Sequence, residues 1–181
     1  PPAGRRRGRA GGGAVGSHRR PAGKVDVDPP LGAAGGAGNS TVGIGGKGWD
    51  FHVTEALRTT LDEGVAMVGE SVAFLKAEGL RVFFDAEHFF DGYKRNPEYA
   101  LRVIEAAAIN GASVLVLCDT NGGSLPHAVP GIVAEVVRYF GPEQAIGIHT
   151  QNDTGCEVAS SIAAVVDGAN PVVSAADRPI A

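Results

Sequence analysis

The sequence predicts an α/β protein built on parallel strands, and three observations carry that prediction. Short, nearly continuous apolar runs beginning near residues 82, 114 and 145 alternate with amphipathic helical stretches. The unit so formed repeats about every 31–32 residues. Each run ends on a polar cluster: Asp85-Ala86-Glu87-His88, Cys118-Asp119-Thr120-Asn121 and His149-Thr150-Gln151-Asn152-Asp153. Strands covered by helices on their faces read as continuous apolar runs, and strands alternating with helices imply right-handed crossovers in a parallel sheet. A barrel and a doubly wound sheet both satisfy the pattern. No Gly-rich dinucleotide or phosphate loop follows any of the strands, which weighs against a nucleotide-binding doubly wound sheet. A complete eight-fold barrel usually takes about 250 residues, and this chain has 181. The expectation is therefore a smaller fold or a piece of a barrel.

Taken in order, residues 1–45 come first. They are dominated by Gly, Ala, Pro and Arg, hold about half of the 27 glycines and include no aromatic residue. No period of 2 or 3.6 runs through them, so they bury too little surface to offset their ordering entropy and are expected to be disordered. Seven of the 16 basic residues, from Arg5 to Lys24, precede the first acid, Asp26, so the remaining nine face all 20 acids. Such an acidic body does not suit a polyanion, and no nucleic-acid partner is expected; the basic stretch reads as a solvated tail.

An ordered domain is expected over 46–170, followed by a tail over 171–181. Leu57, Leu61, Val65, Val68, Val72 and Leu75 recur at steps of 4, 4, 3, 4 and 3, one stripe of an amphipathic helix. Thr54 suits its N-cap and Gly79 its C-terminus. Leu80 to Phe84 forms the next strand. A loop then leads to Asn96-Pro97, which opens a helix reaching about Ala108 and closed by Asn110-Gly111. Ser113 to Cys118 is a strand, and Pro126 to Phe140 a helix with Val129, Ile132, Val133, Val136 and Val137 on its apolar side. Gly141-Pro142 ends that helix. Ala145 to Ile148 is the last strand, and a helix from about Gly155 to Val166 stops at Gly168.

Two cysteines in unlike contexts, Cys118 and Cys156, give neither a disulfide framework nor metal-finger spacing and suit a reducing compartment. No apolar run approaches the ~18 residues of a membrane span, and no signal-peptide core is evident, so a cytoplasmic chain without a membrane partner is expected.

In a parallel α/β protein the residues just after each strand share one face, where sites are built. The three clusters would bring carboxylates, imidazoles, hydroxyls and amides to one rim. That set suits a divalent metal, a polarised carbonyl and proton transfer by a carboxylate. Plainer roles compete for single residues. Asp119 or Asp153 could cap a following helix, Glu87 could be a solvated loop charge, and His88 and His127 could face solvent. Cys118 and Cys156 suit small packed residues, and Trp49 and the Phe83-Phe84 and Phe89-Phe90 pairs suit packing.

Four stretches resemble citramalate synthases. Gly46-Lys47-Gly48-Trp49-Asp50-Phe51-His52-Val53-Thr54-Glu55-Ala56-Leu57-Arg58 is similar to the segment around their fourth strand. Phe84-Asp85-Ala86-Glu87-His88-Phe89-Phe90-Asp91-Gly92-Tyr93-Lys94, followed by Asn96-Pro97-Glu98-Tyr99-Ala100, is similar to the fifth. Leu117-Cys118-Asp119-Thr120-Asn121-Gly122-Gly123 resembles the sixth, and Gly147-Ile148-His149-Thr150-Gln151-Asn152-Asp153-Thr154-Gly155 the seventh.

The resemblance implies a partial TIM (β/α)8 barrel of about three to four βα units with parallel strands, preceded by the disordered segment. It also implies an acyltransferase that condenses acetyl-CoA with pyruvate to (R)-citramalate, a step toward isoleucine, with a divalent ion (Mg, Mn or Zn) as cofactor. Carried over by position, Glu87 is the catalytic carboxylate, Thr120 and Asp85 contact the oxo acid, and His149 and Gln151 stand at the metal-ligand pair. Gln151 occupies the place of the family's second histidine, and its amide oxygen is a weaker neutral ligand. The family's Arg-Asp first strand and its Asn-Gly-x-Gly-Glu-Arg eighth strand have no counterpart here. A homodimer or a complementary half-barrel is the implied protein partner. Neighbouring readings are a 2-isopropylmalate or homocitrate synthase-like enzyme, a metal-dependent aldolase or hydrolase, and a non-catalytic barrel remnant.

Overall fold

The computed structural model describes residues 40–169, together with the strand backbones Ala14–Val15 and Val172–Ser174. Among the described residues six strands form one sheet in chain order. They are β1 (Ala14–Val15), β2 (Thr41–Lys47), β3 (Arg81–Glu87), β4 (Val114–Asp119), β5 (Ala145–Thr150) and β6 (Val172–Ser174). Every neighbouring pair is parallel. A doubly wound sheet reverses its strand order at a switch point, whereas here the order never reverses. The sheet is thus the arc of a barrel, and the first of the two alternatives is the one realised.

Among the described residues five α-helices pack along one side: α1 (Leu61–Ala77), α2 (Phe89–Arg95), α3 (Pro97–Ile109), α4 (Val129–Phe140) and α5 (Glu157–Val166). Side chains alternate across each strand. On the helix side Val42, Ile44, Val82, Phe84, Ala86, Leu115, Leu117, Ile146 and Ile148 join Val72, Leu75, Val103, Ile104, Val133 and Val136 in one buried cluster. Burying a side chain such as Phe84 or Leu115 contributes about 1.5–3 kcal/mol. On the opposite, barrel-side face Val114, Val116 and Cys118 form a smaller cluster with Phe83 and Ala145. No described helix is long and apolar enough to cross a membrane.

The sequence expectations for the strands near 82, 114 and 145 and for the helix opening at Asn96-Pro97 hold. The Asn96 carboxamide oxygen accepts from the Tyr99 N–H at 3.1 Å, the cap that starts α3. Four boundaries differ. First, β2 (Thr41–Lys47) begins inside the segment expected to be disordered, and the strand backbone Ala14–Val15 pairs with it. Val42 and Ile44 alternate there with Gly43 and Gly45, whose missing side chains hide the period-2 signal on the barrel-side face. Second, Val172–Ser174, expected in the tail, pairs with β5; apart from these strands and Ser40, the first and last segments lie outside the described residues. Third, the helix expected from Thr54 is broken. His52–Leu57 forms a π-helical turn that ends on Arg58 in the left-handed region, at φ 54°. The Thr60 hydroxyl then accepts from the Glu63 N–H at 3.1 Å and starts α1. The Thr54 hydroxyl instead donates back to the carbonyls of Asp50 and Phe51. Fourth, α2 occupies the stretch expected to be a loop.

One backbone contact fixes how α2 sits against the exit of β2. A Cβ added at Gly92 would lie 2.1 Å from the Gly48 carbonyl oxygen, so only glycine allows the approach. The Gly48 N–H donates to the Glu87 carbonyl at 2.9 Å, tying the ends of β2 and β3 together.

Candidate functional site

Strand alternation and register decide which polar side chains meet. Lys47 is the register partner of Glu87, Gly45 of Asp85, and Cys118 of His149. Lys47, Asp85, Glu87, Cys118 and His149 consequently share the barrel-side face at the C-terminal ends of β2–β5. Asp119 and Thr150 point the other way. The Asp119 carboxylate accepts from the Ser124 N–H at 3.0 Å, so it orders the loop after β4 and caps no helix. The Thr150 hydroxyl bonds Ser161 Oγ at 2.7 Å and the Glu157 carbonyl at 3.2 Å, which fastens α5 to β5.

Thr120 sits just past β4, and its Oγ1 accepts from the His88 N–H at 2.8 Å. The hydroxyl's own proton is left to donate elsewhere. His88 itself takes a left-handed conformation at φ 57°, uncommon for a residue with a Cβ, and so turns the chain from β3 into α2. Its ring meets His52 edge-on at 4.2 Å between centroids, and Trp49 at 6.0 Å. Burial first, then the facing His88 and the nearby Lys47 charge, push the His52 imidazole below its ordinary value. Burial also lowers His88, against the opposing pull of Asp91.

Asp85 is half-buried, and burial raises its carboxyl above the usual carboxylate value; the His149 imidazole works against that shift and Glu87 with it. Cys118 is buried, and burial followed by the charges of Asp85, Glu87 and Asp119 pushes its thiol well up, so it is no ready nucleophile. His127 is exposed, as the plainer reading held. Asp153 is exposed too and lies against Gly122, where an added Cβ would meet its Oδ2 at 2.7 Å. The α5 helix begins instead beneath the Asn152 side-chain oxygen, which accepts from the Glu157 N–H at 3.4 Å.

Lys47 is the residue that sequence reasoning passed over. Its ammonium donates to Glu87 Oε2, forming an ion pair on the barrel-side face. The signal was present, because Lys47 ends its strand as Glu87 ends the next. The strand itself went unread among its glycines.

His149 Nε2 is buried without a protein hydrogen-bond partner, a property suited to a metal ligand. Gln151 follows two residues later and is partly exposed, with its backbone N–H donating to the Asp119 carbonyl at 3.3 Å. No group of three or more His, Cys, Asp or Glu side chains among the described residues is arranged to hold a metal ion. The described residues therefore do not fit a complete divalent-metal site; they offer one imidazole nitrogen toward one.

A sequential parallel sheet, helices along one side and polar groups gathered at the C-terminal strand ends define an enzyme scaffold of the TIM-barrel type. The chain belongs to the HMGL-like family, whose sequence profile matches residues 25–176. It is 52% identical over 159 residues to the (R)-citramalate synthase of Aquifex aeolicus, covering 88% of this chain and 30% of that protein. It is 50% identical over 159 residues to the (R)-citramalate synthase of Streptomyces coelicolor, covering 88% of this chain and 29% of that one. Among solved structures, the HMG-CoA lyase of Bacillus subtilis superposes with a TM-score of 0.65 at 20% identity, over 80% of this chain and 49% of the lyase. That likeness speaks for the fold. The chain thus spans about 30% of the length of these curated relatives.

Proposed function

We propose that this chain supplies the β2–β5 arc of a citramalate-synthase-type active site, where acetyl-CoA and pyruvate join to give (R)-citramalate and free CoA. The observation that carries the reading is the meeting of Glu87, Thr120, Asp85 and His149 at one rim, in a chain about half identical to proteins of that name. The roles follow from what each group can do there. Glu87 ends β3 on the barrel-side face and moves the proton of the acetyl methyl group. Thr120 has its oxygen engaged by His88, so it donates its proton to the oxo acid's carboxylate. Asp85, whose carboxyl burial raises above the usual carboxylate value, takes up a proton more readily than an ordinary carboxylate as that anion arrives beside it. His149 would give its unpartnered Nε2 to a divalent ion, with the Gln151 amide oxygen as a weaker neutral donor, and the rest of that site would belong to elements beyond the β2–β5 arc. A complementary part of the barrel is accordingly the partner in this reading, and two free thiols suit a reducing compartment such as the cytoplasm.

The test is CoA release and citramalate formation from pyruvate and acetyl-CoA, measured for the chain alone and for the chain joined to the remaining strands of the barrel. Little turnover is expected alone and restored turnover when joined, with Glu87→Gln lowering the restored rate by about 100-fold or more. CoA release that does not track pyruvate consumption would sink the reading.

A further inference from the structure

We propose that Lys47 is a positioning residue which, together with the gap at Gly45, fixes the orientation of the Glu87 carboxylate. This rests on the role given to Glu87 above and deepens it. Lys47 and Glu87 are register partners on adjacent strands, so their side chains leave the same face at the same height. The ammonium takes Oε2. The other oxygen, Oε1, lies 3.0 Å from where a Cβ at Gly45 would sit, so a side chain there would press the carboxylate aside by a few tenths of an ångström. One oxygen is thereby committed to the lysine, and the second lies over a bare stretch of β2 open to the barrel side.

The backbone beneath the pair is held at both ends. The Lys47 carbonyl accepts from the Tyr99 hydroxyl at 3.3 Å, and the Glu87 carbonyl accepts from the Gly48 N–H at 2.9 Å. The cations of α2 are engaged elsewhere: Lys94 donates to Ser124 Oγ at 3.2 Å, and Arg95 lies 3.7 Å from Asp50. The pair is partly shielded, with the two side chains 24% and 32% exposed, so solvent weakens it less than a pair on the open surface. A carboxylate free to rotate away from the methyl group it must deprotonate loses rate steeply, because a misplacement of about 1 Å can cost on the order of 100-fold.

Carbon-13 spectroscopy of the full chain, labelled at glutamate carboxyls, reads the pair without requiring turnover. The Glu87 signal is assigned by its loss in Glu87→Gln. Lys47→Met is expected to move that signal at constant pH, and Lys47→Arg to return it. Gly45→Ala is expected to displace it with the lysine intact, and far-UV circular dichroism to stay unchanged throughout. A Glu87 signal unmoved in Lys47→Met overturns the proposal. In the chain joined to the rest of its barrel, Lys47→Met is expected to lower kcat about 10-fold to 100-fold at nearly constant KM, with rescue by Lys47→Arg. Unchanged kcat despite a shifted Glu87 signal also overturns it. Absence of citramalate from the parent protein counts against the proposed reaction alone, since the spectroscopic result stands independently.

Discussion

Asp85 shows how a residue suited to chemistry opposes the fold that carries it. Burial raises its carboxyl above the ordinary value of 3.8. A group raised in this way contributes stability that is full below its unfolded value and is lost as pH rises through its folded value. At neutral pH, therefore, ionised Asp85 works against folding. Asp85→Asn is expected to raise stability at pH 7 by about 0.5–2 kcal/mol, and the gain should vanish near about pH 3. Urea unfolding at the two pH values checks this. The facing imidazoles of His52 and His88 behave in the opposite sense. Both are lowered from 6.5, so the unfolded chain takes up protons first, and stability present above that value is lost as pH falls through it. The urea midpoint is expected to decline on acidification below about pH 6.5, and His52→Asn should flatten the decline. At this scale the sequence was legible where chemistry ran along the chain, as in Glu87, Thr120 and His149 after their strands. Lys47 was not, because its meaning lies in a partner 40 residues away.

At the scale of elements, local signals competed and the structure shows which prevailed. The sequence reading put the N-cap at Thr54, and the structure puts it at Thr60. Thr60 has extended backbone, at φ −79° and ψ 158°, and captures the Glu63 N–H, whereas Thr54 sits inside the preceding π-helical turn. Thr60→Ala is expected to cost about 1 kcal/mol and Thr54→Ala to stay within about 0.5 kcal/mol, as thermal or urea unfolding would reveal. The apolar stripe was continuous across Leu57 and Leu61 and so concealed the break at Arg58. The α3 helix was legible because Asn96-Pro97 is a start signal with a mechanism, a cap followed by a residue that needs no N–H partner. The α2 helix was not. It has seven residues with Gly92 in its middle, too short for a 3.6 period to show, and the close approach to Gly48 that calls for the glycine is invisible before the chain is folded.

For the whole molecule, the repeat of about 31–32 residues made the parallel sheet legible, while the choice of a barrel arc over a doubly wound sheet shows only in the strand order, which composition does not encode. The arc leaves its last helix unlike the others. On α5, Val158, Ile162 and Val166 are 68%, 61% and 80% exposed, a row on one side of the helix, while Ser160 and Ala164 face the sheet. Exposed apolar side chains contribute little to folding and promote association. Replacing Val158 and Ile162 by lysine is expected to leave the urea midpoint within about 0.5 kcal/mol of the parent per substitution and to raise the concentration at which the protein precipitates.

The uninterrupted order of strands from β1 to β6 has a consequence for the way the protein is made. On a ribosome the polypeptide is delivered from its N-terminus, and each new strand from β2 onward emerges when the one it pairs with is already in place. Among the described strands none must be inserted between two that have already joined. The nascent chain can grow as a widening arc, unit by unit, with each strand added at the newest edge.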